Sequence, residues 1–198
     1  MNYRRIAALV AVGLCLVISA GAAAQSPARI IFMHHSTGGA LVGEGNVRER
    51  LTTLGYEFWD HGYNGDGLTN AQGQATGINW DMPNDNTDPD GWYNIFNQPV
   101  HSPADNTLSH MLEYDVIIFK SCFPASNIGS DEALQQYKDY FLSIRNVIDA
   151  HPDKIFIPLT TPPLVPNATN SEAAARARQW ANYLTSAEYL QGHPNIFV

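Results

Sequence analysis

Basic residues and cysteine are scarce in this sequence. Eleven Lys and Arg stand against nineteen Asp and Glu in 198 residues, a formal net charge of −8. A chain with that balance lacks the basic footprint that neutralises phosphates, so nucleic acid is not an expected partner. It has no basic amphipathic helix to lie on an anionic membrane either. The two cysteines are Cys15 and Cys122, and no H-E-x-x-H spacing occurs anywhere. Long apolar runs are also missing, except one. Residues 6–20 follow Arg4 and Arg5 and give way to small residues ending Ala22-Ala23-Ala24. That pattern is an export signal, with cleavage expected after Ala24; the stretch is short for a membrane span. The chain is then secreted or periplasmic, with no membrane contact after cleavage. Without Arg4 and Arg5, nine basic residues face nineteen acidic ones, a net −10, and Cys122 is left alone, so no intrachain disulfide framework forms. Stability must come from burial, which an aromatic share of 11% supports.

Residues 25–198 are enough for one domain with a proper core, and neither a repeat nor a linker divides them. Short apolar runs alternate with helical patterns. RIIFMH (29–34), YEFWD (56–60), DVIIFK (115–120), KIFIPL (154–159) and NIFV (195–198) read as strands, several of them apolar almost throughout, as strands covered on both faces are. Leu134, Tyr137, Phe141, Ile144 and Ile148 fall at steps of three and four behind Ser130, an N-cap followed by Asp131 and Glu132. A second helix is expected over 171–189 and a weaker one over 46–54, closed by Gly55. The order βαβ, a long connection, then βαβαβ predicts an α/β fold: a three-layer α/β/α sandwich with a parallel sheet and flavodoxin-like strand order 2-1-3-4-5. The connection 62–108 is rich in Gly, Asn, Asp and Pro and reads as a functional lid or a small subdomain.

The first strand stops abruptly on His34-His35-Ser36-Thr37-Gly38-Gly39. In open α/β sheets ligands bind at the carboxyl ends of strands, where loops enter helices. Polar clusters stand after three other strands: DHGYNGDGLTN, SCFPASN and TTPPLVPN. With Ser36 after the first strand, Gly65 in NGDG after the second and Asn127 in SCFPASNI after the third, the layout resembles the SGNH (GDSL-type) hydrolases over roughly the whole of 25–198. The resemblance implies an esterase or acyl hydrolase with Ser36 as nucleophile, Gly65 and Asn127 as oxyanion-hole donors, no cofactor, and a small-molecule or carbohydrate ester as substrate. The family's Gly-Asp before the serine is here His34-His35, and its Gly-x-Asn-Asp is absent. It also implies a base histidine and its carboxylate in an Asp-x-x-His segment after the last strand. None precedes Val198, so the expectation is a domain cut short at its C-terminus, with a triad that is incomplete in this chain.

Two other readings compete. His34, His35, Asp60 and His61 offer imidazole and carboxylate ligands for a metal-dependent hydrolase, although adjacent histidines seldom bind one ion. Trp59, Trp80, Trp92, Tyr63 and Tyr93 could serve as stacking platforms of a non-catalytic carbohydrate-binding protein. Asn86, Asp88, Asp90 and Gly91 fit the start of a calcium loop, but Asn97 stands where a bidentate Glu is needed. Among the remaining histidines His61 is the first upstream candidate for a base; His101, His110, His151 and His193 read as surface or turn residues. Cys122 is expected to be buried, not nucleophilic.

Overall fold

The sheet is assembled around the first strand, whose four residues after Arg29 are all buried. In the computed structural model, which describes residues 26–80, 82 and 87–198, the elements are β1 (Arg29–Met33), α1 (Thr37–Gly43), α2 (Val47–Thr53), β2 (Glu57–His61), α3 (Tyr63–Asp66), β3 (Leu68–Thr69), α4 (Pro89–Phe96), α5 (Thr107–Met111), β4 (Val116–Lys120), α6 (Asp131–Asp149), β5 (Ile155–Leu159), α7 (Ser171–Leu184) and α8 (Ala187–Leu190). The export signal expected over 1–24 lies outside the described residues. No helix among the described residues is long and apolar enough to cross a membrane.

The sheet is mixed, with order β3-β2-β1-β4-β5. β2, β1, β4 and β5 run parallel, with Met33 level with His61 on one side and Phe119 on the other. This corrects the all-parallel order 2-1-3-4-5 at both ends. At one edge Gly67, at φ +64°, turns the chain back so that Leu68 and Thr69 pair antiparallel with His61 and Asp60. At the other, residues 195–198 make no ladder: Phe156 bonds Asn195 O and Phe197 N in a single parallel bridge.

Strand side chains alternate between the two faces. One face carries Ile31, Met33, Ile117, Phe119 and Phe156, which merge with Trp92, Ile95 and Phe96 of α4, Phe141, Ile144 and Ile148 of α6, and Trp180 and Leu184 of α7 into the main core. The other carries Ile30, Phe32 and Phe58, packed against Val42 of α1 and Val47 and Leu51 of α2. The apolar stripe of α6 is as its spacing predicts. Leu134, Phe141, Ile144 and Ile148 are buried, and the Ser130 hydroxyl accepts the Ala133 amide at 3.2 Å. The helix expected over 171–189 is instead two, because the Ser186 hydroxyl caps a new start at α8 after α7 ends at Leu184. The connection 62–108 is more than a lid: it supplies α3, β3, α4 and the start of α5, and Trp92, Ile95 and Phe96 of α4 are fully in the core.

Candidate active site at the carboxyl edge of the sheet

Ser36 sits between β1 and α1 with φ 51° and ψ −113°, a backbone conformation that residues with a Cβ rarely adopt. Such a sharp strand-to-helix turn lifts a side chain clear of the sheet, as in the nucleophile elbows of serine hydrolases. Ser36 is exposed, and neither its hydroxyl nor its amide bonds another described residue. Gly38 makes the turn possible. A Cβ there would stand 2.4 Å from the His34 Cβ, so only glycine lets α1 come down onto the end of β1.

Gly65 and Asn127 leave from the same edge, on the two strands that flank β1. Gly65 is exposed in the first turn of α3, where amides have no intrahelical acceptor, and nothing lies within 4 Å of where its Cβ would be. Asn127 is exposed after a 3-10 turn, Phe123–Ser126, and its Oδ1 accepts the Thr169 hydroxyl at 2.9 Å. That bond uses the carbonyl end of the amide and leaves the Asn127 NH₂ without a bond to another described residue. The Ser126 hydroxyl donates to Pro162 O at 2.6 Å and ties this loop to the one after β5. Between them lie two hollows. One, of about 310 Å³, is lined by Ser126, Thr161, Pro162, Thr169 and Arg178; the other, of about 360 Å³, by Phe123, Asn127, Leu164 and Ala168.

Most of the histidine rings have side-chain or backbone partners. His34 Nε2 bonds Asp60 Oδ2 at 2.8 Å inside the protein, and Asp60 Oδ1 is gripped by Arg48, which also donates to Phe58 O and Asn70 O. This network clamps β1, β2 and α2 together. His61 is sealed: its Nε2 accepts the Trp80 amide at 3.2 Å, its Nδ1 has no partner among the described residues, and its ring stacks on Trp80. Burial pushes its pKa down to about 4, with like charge on His34 adding to the effect. It cannot serve Ser36 as a base, because its one acceptor nitrogen is taken. The His35 ring stacks on Tyr63. His101, His110 and His193 pair with Asp105, Glu113 and Asp149.

The metal reading is not supported by this arrangement. His34 and Asp60 face each other, His35 and His61 turn to different partners, and no group of three or more His, Cys, Asp or Glu among the described residues converges on an ion. Asn86 of the calcium pattern lies outside the described residues; Asp88, Pro89 and Asp90 open α4 instead of a chelating loop. The platform reading fails for its main aromatics. Tyr63 and Trp92 are fully buried and Trp80 nearly so, while Trp59 and Tyr93 lean on Tyr114 and Tyr140. Cys122 is free and buried, as expected.

Two features at this edge escaped sequence reasoning. Lys120, the last residue of β4, is buried with its Nζ 3.3 Å from His35 O. The hydroxyl of Ser121 next to it is buried without a partner among the described residues. Nothing in DVIIFK marked Lys120, because a lysine closing a strand is ordinarily solvated. Compared with family models, with curated proteins and with solved structures, the chain matches none.

Proposed function

We propose that the protein is an exported serine hydrolase of the esterase type, an α/β/α sandwich of the SGNH-like kind, with Ser36 as its nucleophile. The observation that carries this reading is the Ser36 turn: a positive φ at an exposed, unbonded serine between the central strand and a helix. Strain of that kind costs on the order of 1–3 kcal/mol and persists where surrounding structure enforces it, which here is the close contact of Gly38 with His34. The Ser36 amide, the Gly65 amide and the Asn127 side chain are the donors for the oxyanion that forms when Ser36 adds to a carbonyl. The hollow beside Asn127, lined by Phe123, Leu164 and Ala168, suits a small apolar acyl or alcohol group of an ester. Export and the acidic balance agree with a small-molecule or carbohydrate ester as substrate, and with neither nucleic acid nor membrane as partner.

The test is hydrolysis of p-nitrophenyl acetate by the chain and by its Ser36→Ala variant. Ser36-dependent turnover is expected, with a loss on the order of 10³-fold or more in the variant. Equal rates in the two would end the assignment.

A further inference from the structure

We propose that Lys120 is the general base for Ser36, so that the two form a serine–lysine dyad; this rests on the reading of Ser36 as nucleophile. β4 is hydrogen-bonded to the central strand, with Phe119 level with Met33, so Lys120 emerges beside the turn that presents Ser36. Its stem runs under the first turn of α1, where a Cβ on Gly38 would lie 3.3 Å from the Lys120 Cδ. Its Nζ reaches 3.3 Å from His35 O, the carbonyl joined directly to the Ser36 nitrogen. Lys120 is 4% exposed, whereas the other two lysines of the chain, Lys138 and Lys154, are only half-buried.

No carboxylate pairs with Lys120 among the described residues. Asp60, near the end of β2, is held by His34 and Arg48. The titratable or charged groups around Lys120 are His34 and His35 on the β1 side, Asp60 and Arg48 behind His34, Tyr63, whose hydroxyl donates to Lys120 O, and Cys122; α1 and β5 present none. An ammonium buried without a counter-ion is destabilised, and burial accordingly lowers the Lys120 pKa, partly opposed by Cys122. A neutral amine is what proton abstraction from a serine requires, and lysine is the side chain that reaches that state on burial. Among the described residues His61 is sealed, His101, His110 and His193 pair with carboxylates away from this turn, and His151 sits ahead of β5 at the opposite edge.

The step balances without a further reagent. Neutral Lys120 takes the Ser36 Oγ proton as Oγ bonds to the ester carbonyl carbon. The resulting ammonium returns that proton to the alkoxide as the carbon–oxygen bond breaks and alcohol leaves. Lys120 then takes a proton from water as it attacks the acyl-serine, and gives it back to Oγ as the carboxylic acid departs.

The experiment uses the chain with p-nitrophenyl acetate, comparing Ser36→Ala, Lys120→Arg and Lys120→Ala, with folding checked by thermal melts. Lys120→Arg keeps the cation and a donor for His35 O but cannot lose its proton at accessible pH. Both Lys120 variants are expected to lose on the order of 10³-fold in kcat/KM, the wild-type rate should rise with pH along one ionisation that both variants lack, and added methylamine should restore part of the activity of folded Lys120→Ala. A folded Lys120→Arg that keeps the wild-type rate and pH profile would overturn the base assignment while leaving Ser36 as nucleophile. Hydrolysis that Ser36→Ala does not diminish would instead remove the nucleophile itself, and the dyad with it.

Discussion

The two faces of the sheet differ in what fills them. The face toward α4, α6 and α7 is aromatic and apolar: Trp92, Phe96, Phe119, Phe141, Trp180 and Tyr189 lie there ring against ring. The face toward α1 and α2 has only Ile30, Phe32 and Phe58 fully inside, and beyond them, toward the carboxyl edge, it turns polar, with His34, Asp60, Arg48 and Lys120. The first face supplies most of the apolar burial that holds the fold. The second gives up apolar packing for polar groups fixed by hydrogen bonds at the end of the sheet where Ser36 stands. Stability and the candidate chemistry are thus drawn from opposite sides of the same strands.

That contrast can be broken from either side. Phe141→Ala, which removes a ring packed on Phe119, Trp180 and Tyr189, should cost about 3–5 kcal/mol by urea unfolding. Asp60→Ala strands His34 and Arg48. Because Arg48 keeps its bonds to Phe58 O and Asn70 O, the loss should fall near about 3 kcal/mol, and activity should drop more than the melting temperature alone accounts for. A cost below about 1 kcal/mol would show that the polar face is not a structural unit.

A smaller effect depends on pH. The folded-state pKa of His61, about 4, lies below its ordinary 6.5, so between these values the unfolded chain binds a proton that the folded chain does not. Stability from this group is present above pH 6.5 and is lost as pH falls toward 4, with a ceiling of roughly 3 kcal/mol. Asp88, held up at about 6 by burial and by Asp90, works in the opposite direction over part of that window. The comparison that isolates His61 is therefore wild type against His61→Gln by urea unfolding at pH 4.5 and 7. The variant should show the weaker acid sensitivity. Smallest is Ser130→Ala, which removes the cap on α6 at a cost of about 1 kcal/mol and should leave activity untouched.

The parallel strands, α6 with its cap, and the burial of Cys122 were legible in the sequence because each depends on local pattern. The edge strand at Leu68–Thr69 was not, since two residues carry no periodicity and their pairing follows from the Gly67 turn. Nor was α4, whose Trp92, Ile95 and Phe96 stand in a segment otherwise dominated by turn formers. At the site, sequence placed Ser36, Gly65 and Asn127 after three strands, and the topology brings those strands side by side with β1 in the middle. It pointed to His61 as the upstream base because His61 ends a strand; only the Trp80 amide bonded to its Nε2 removes it. Lys120 was hidden because a lysine at a strand end is ordinarily a solvated one.

The most direct test of an activated Ser36 is covalent labelling of the chain with a fluorophosphonate, read by peptide mass. A serine hydroxyl without a base reacts negligibly, so the reagent reports on activation separately from substrate choice. The account predicts a single adduct on the peptide containing Ser36, absent from Ser36→Ala and slowed on the order of 10³-fold in Lys120→Arg. A folded wild-type chain that takes up no label at Ser36 would contradict it.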